Sequence, residues 1–88
     1  MGNIKIGSFV KSKQGRDKDN VYIVKDILNG NVVLVDGFGK KLNNPKTKNL
    51  KHVEYYGSDN EILAKKFNSN VKVFDEEVYS AIKKIKNQ

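Results

Sequence analysis

Up to about residue 55 the apolar and polar positions exchange with the period of a strand; past Gly57 they exchange with the period of a helix. Ile6–Lys11 predicts a short strand. Ser12–Asn20 is polar throughout and carries Gly15, which marks a loop. Val21–Leu28 is rich in β-branched and aromatic residues and predicts a second strand. Its alternation fails after Lys25, and a bulge there turns both Val24 and Ile27 inward. Asn29-Gly30 between two apolar runs is a strong hairpin signal, because both residues tolerate the positive φ of a type I′ turn. Asn31–Val35 is the return strand, and Asp36-Gly37-Phe38-Gly39 is a second turn. Lys40–Leu42 is expected as a short strand and Asn43–Lys46 as a loop, since Pro45 has no N–H for a central ladder. Leu50–Tyr55 alternates and is expected to close the sheet.

Ser58 and Glu61 have the spacing of a capping box, so a first short helix is expected to begin there and to stop near Asn68-Ser69-Asn70. A second helix begins around Asp75-Glu76-Glu77, with acids suited to its positive end and Lys83, Lys84 and Lys86 suited to its negative end. Val78, Ala81, Ile82 and Ile85 form one apolar stripe. The expected fold is mainly β: a small five-stranded barrel over residues 1–56, followed by one or two short helices in a C-terminal appendix over residues 57–88.

Composition removes several classes of function. The chain has 88 residues, room for one core. It has no cysteine, hence no disulfide, thiolate metal site or cysteine nucleophile. No apolar run is long enough to span a membrane. The opening Met1–Ile6 has no apolar core for a signal peptide, and Ile6 stands where the myristoylation pattern needs Ser or Thr. A small soluble cytoplasmic protein is expected. Charge is more informative. The net charge is +7. Residues 1–53 hold ten Lys and Arg16 against Asp17, Asp19, Asp26 and Asp36, which accounts for all of it; residues 54–88 hold six Lys against six acids. A compositional drift toward lysine would spread along the chain. Its confinement to the first part points to a polyanionic partner for that part.

Catalytic chemistry is poorly supplied. His52 is the only candidate base near neutral pH, in a predicted strand without an evident serine or carboxylate partner. Asp75-Glu76-Glu77 reads as a helix start and not as a metal site. No enzyme, metal or cofactor is expected. The basic segments carry more. Lys11, Lys13, Arg16 and Lys18 crowd the first loop and its approach; Lys40, Lys41, Lys46, Lys48 and Lys51 crowd the second and its flanks. Loops at one end of a small barrel lie close together, so both sets are expected to form one face for phosphates. Tyr22 is expected in the core, while Phe38 at a turn tip is the aromatic most exposed to solvent. Scattered aromatics favour recognition of folded RNA by shape and backbone over stacking on single strands.

Ile6–Val53 also resembles a known family. Gly7–Lys18 followed by Val21–Val24 resembles the KOW motif, a strand, a glycine-bearing loop and a second strand. With Gly15-Arg16-Asp17, Val35-Asp36-Gly37, Lys41-Leu42, Asn44-Pro45-Lys46 and Leu50-Lys51-His52-Val53, the run resembles bacterial KOW-domain RNA-binding proteins similar to archaeal and eukaryotic large-subunit ribosomal proteins. The resemblance implies an SH3-like barrel, with ribosomal RNA and ribosomal proteins as partners in translation. It implies RNA contacts at Lys13, Gly15 and Arg16 and at Lys46, Lys48, Lys51 and His52. Where the family often caps its last helix with Thr, this chain has Phe74, leaving Asp75 as the alternative cap. Two needs explain Gly15, a positive φ or close approach of backbone to RNA; its basic neighbours favour the second. Two other functions fit the same features: an SH3-like protein-interaction module, and an accessory KOW domain of transcription elongation.

Overall fold

The computed structural model describes residues 4–87. The reading of the extreme N-terminus, Met1-Gly2-Asn3, lies outside the described residues. Five antiparallel strands form one open sheet and two helices follow: β1 Ser8–Ser12, β2 Val21–Leu28, β3 Asn31–Val35, β4 Lys46–Asn49, β5 Val53–Asp59, α1 Glu61–Asn68 and α2 Asp75–Lys86. The strand order is β4-β3-β2-β1-β5. Asn29 and Gly30 take φ of 52° and 81°, as a type I′ hairpin turn requires. The β2–β3 ladder shifts register between Val24 and Asp26, and Val24 and Ile27 pack into the same apolar cluster, as the broken alternation anticipates.

The first half of β2, Val21–Val24, is an unbroken apolar run because both of its faces are covered. Val21 and Ile23 join Phe9 and Val35 beneath the helices, which contribute Leu63, Val78 and Ile82. Tyr22 and Val24 join Val10, Val32, Leu34 and Val53 on the opposite face. The helices therefore share a core with the sheet, and β5 runs on to Asp59, beyond the boundary expected at residue 56.

Several elements differ from expectation. β1 starts at Ser8 and not at Ile6. Lys40–Leu42 is no strand; the fourth strand is Lys46–Asn49, paired with β3 from Asn31↔Asn49 to Leu34↔Lys46. Pro45 stops just before it, so no ladder donor is lost. Leu50–His52 forms a single 3-10 turn, and β5 begins only at Val53. β4 and β5 lie at opposite sheet edges, yet only this turn separates them. Three 3-10 residues span about 6 Å, so the sheet must curl strongly. No ladder joins β4 to β5 among the described residues, and the sheet stays open where a barrel was expected. The intervening backbone bonds elsewhere: Leu50 N–H donates to the Gly30 carbonyl at 3.0 Å, and Lys13 N–H to the His52 carbonyl at 2.9 Å.

The helix starts also differ. Ser58 belongs to β5, and Asn60 caps α1 by accepting from the Leu63 N–H at 2.9 Å. Phe74 occupies the cap position of α2, where the Glu77 carboxylate accepts from the Phe74 N–H at 2.9 Å. Asp75 does not cap. Its carboxylate accepts from the Leu42 N–H at 2.8 Å and ties the 36–45 segment to the helix.

Candidate nucleic-acid interface

The polar loop between β1 and β2 is built on Asp17. It is only 9% exposed in a segment whose neighbours Arg16 and Lys18 are in solvent. A carboxylate so placed needs partners. Asp17 accepts from Ser12 Oγ at 3.0 Å, Tyr22 Oη at 3.1 Å and Lys48 Nζ at 2.8 Å, and Lys46 Nζ lies 2.9 Å away. Burial pushes the carboxyl pKa up, but the bonds from Lys48, Lys46, Ser12 and Tyr22 outweigh it and hold the group well below the usual carboxylate range. The same burial, with Asp17 beside it, pushes the Tyr22 phenol up, although a bond involving Asn20 opposes the rise. Lys48 Nζ also donates to the Gln14 carbonyl at 3.0 Å. The loop is thus clamped onto β4.

Gly15 sits inside this clamp with φ of 90°. An L-residue is strained there, so backbone conformation explains the glycine, where its basic neighbours had favoured close RNA approach.

Clamping brings most of the anticipated site residues together. Lys13, Gly15, Arg16 and Lys18 are exposed on the loop, and Lys51 is exposed on the 3-10 turn that the Lys13 N–H touches. Lys46 and Lys48 are in the same cluster but turned toward Asp17, with side chains 30% and 12% exposed. These three residues together carry one net positive charge. Half-buried His52 contributes its carbonyl to Lys13, and its buried Nδ1 has no hydrogen-bond partner among the described residues. Lys11 is half-buried on β1, opposite Glu54 on β5. Lys40 and Lys41 belong to the segment tied to α2 through Leu42 and Asp75.

Asp17 is the residue that sequence reasoning passed over. Its position between Arg16 and Lys18 in a lysine-rich loop was the available signal. The Asp75-Glu76-Glu77 carboxylates do not converge. Asp75 serves Leu42, while Glu77 accepts from Lys66 Nζ at 2.6 Å and from Phe74; these bonds hold the Glu77 carboxyl below its ordinary value. Among the described residues no group of three or more His, Asp or Glu side chains is placed to hold a metal ion, and no helix is long and apolar enough to cross a membrane. No family model matches the chain, and no curated protein matches it.

Proposed function

We propose that this chain is a non-enzymatic RNA-binding protein of the KOW type, on an SH3-like strand arrangement. It docks on structured RNA, with ribosomal RNA in the cytoplasm as the target, through the β1–β2 loop and the 3-10 turn. The observation that carries this reading is the Asp17 clamp. It fixes a loop bearing exposed Lys13, Arg16 and Lys18 beside exposed Lys51. Ordering cations in advance lowers the entropic cost of meeting a phosphate backbone. Lys46 and Lys48 act in this reading as the frame of the site, since a phosphate has to compete with Asp17 for them.

Four exposed cations meeting phosphates give a slope of log affinity against log salt of about −2.8 to −3.6. Titration of a stem-loop RNA at several salt concentrations measures it. A flat response removes the phosphate-docking reading and favours a peptide-binding module. Crosslinking in cells followed by sequencing of attached RNA identifies the target class; recovery of messenger RNA alone removes the ribosomal assignment.

A further inference from the structure

We propose that Phe38 and Tyr79 form a stacking site for an unpaired nucleobase of the same RNA whose backbone the β1–β2 loop engages. The proposal rests on the RNA-binding reading above. Phe38 is 75% exposed and Tyr79 45%, with ring centroids 5.9 Å apart and planes tilted by 38°. Tilted rings leave aromatic face open, and every base has a π-face to offer it.

The backbone of the turn that carries exposed Phe38 is firmly held. The Asp36 carboxylate accepts from the Phe38 N–H at 2.9 Å and the Lys40 N–H at 2.7 Å. The Asp36 and Gly37 N–H groups donate to the Lys40 carbonyl at 2.8 and 3.1 Å. Gly37 lies directly on α2: a Cβ there would come within 2.7 Å of the Tyr79 nitrogen and closer still to the Asp75 carbonyl oxygen. The turn and the helix that carry the pair are therefore fixed against each other, and a base docking on it has little backbone to order.

The surroundings suit a nucleotide. Two clefts border the pair: one of about 390 Å³, lined also by Lys41 and Ser80, and one of about 190 Å³, lined also by Asn20 and Lys86. Lys41, Lys83 and Lys86 make no ion pair among the described residues and are available to the phosphates flanking a stacked base. Of the acids around the clefts, Asp36 and Asp75 are engaged by backbone N–H groups, and Glu76 alone faces solvent. Asn20 ends the β1–β2 loop, just after exposed Asp19, and lines the second cleft, which brings the end of that loop beside Phe38.

The test uses a stem-loop RNA with no extension, and with a short oligoadenylate extension at its 5′ or its 3′ end containing 2-aminopurine. The extension is expected to tighten binding roughly 5- to 150-fold and to quench the 2-aminopurine fluorescence. Phe38→Ala and Tyr79→Ala are expected to abolish both effects while binding the bare stem-loop like the parent. Phe38→Trp is expected to retain them. Circular dichroism verifies that the variants fold. Equal binding with and without extensions, or a gain that survives both alanine variants, overturns the stacking site and leaves RNA docking intact. Failure of the bare stem-loop and of both extended RNAs to bind removes both proposals. Self-association of the parent that Phe38→Ala abolishes overturns the site in favour of a contact between copies.

Discussion

Asp17→Asn keeps the shape of the side chain and removes its charge. The asparagine oxygen still accepts one bond, but its amide turns N–H groups toward lysines that are themselves donors. Lys48, 12% exposed, keeps the Gln14 carbonyl but loses its counter-charge; Lys46, 30% exposed, can swing into water. Removing one partner of a buried ion pair costs about 3–5 kcal/mol. The retained Gln14 bond and the escape of Lys46 bring the expected loss to roughly 2–4 kcal/mol. Total stability for a chain of this length is about 4–13 kcal/mol, and each kcal/mol moves Tm by ~4–8 °C. The melting temperature is therefore expected to fall by roughly 10–25 °C, read by circular dichroism alongside urea titration. The pH dependence supplies a second reading. A carboxyl whose pKa is depressed by folding adds stability above its unfolded value, near ~3.9, and loses it as pH falls through the lower folded value. From about pH 5 downward the parent should lose stability faster than Asp17→Asn, by up to ~1.4 kcal/mol per pH unit, so that the two curves converge in acid. A variant within about 0.5 kcal/mol of the parent at neutral pH, or two parallel pH curves, refutes the account of Asp17 as a buried clamp.

Gly15→Ala is expected to cost about 1–2 kcal/mol in urea titration, because φ of 90° strains an L-residue; unchanged stability would return the glycine to a role in RNA approach. Arg16→Ala should leave the melting temperature unchanged and make the salt slope of stem-loop binding shallower by ~0.7–0.9; an unchanged slope takes Arg16 out of the phosphate contacts. A chain ending at Tyr56 should not fold cooperatively. It lacks buried Leu63, Val78 and Ile82, worth roughly 5–9 kcal/mol at about 1.5–3 kcal/mol per side chain, and it bares Phe9, Val21, Ile23 and Val35; a sharp thermal transition in that chain would show that the sheet stands alone.

The features legible in the sequence are those that a few neighbouring residues determine. Asn29-Gly30 announces its hairpin because a type I′ turn is a property of two backbone positions. The stripe Val78, Ala81, Ile82 and Ile85 announces the buried face of α2, because helical periodicity is local. The failed alternation after Lys25 announces the bulge. Tertiary structure decided the rest. Lys46–Asn49 has a loop-like composition but is a strand, because its partner β3 supplies the ladder. Asn60, not Ser58, caps α1, because pairing with β1 carries β5 on to Asp59. Lys48 and Asp17 meet across 31 residues, and Leu42 and Asp75 across 33. Such contacts depend on how the sheet curls and where α2 lies on it, and no local pattern encodes them. For the same reason composition counts seventeen basic residues but does not separate those that hold the fold from those that face solvent. A lysine's charge is fixed by its chemistry, whereas the direction in which it points is fixed by the distant carboxylate that the fold brings within 3 Å of it.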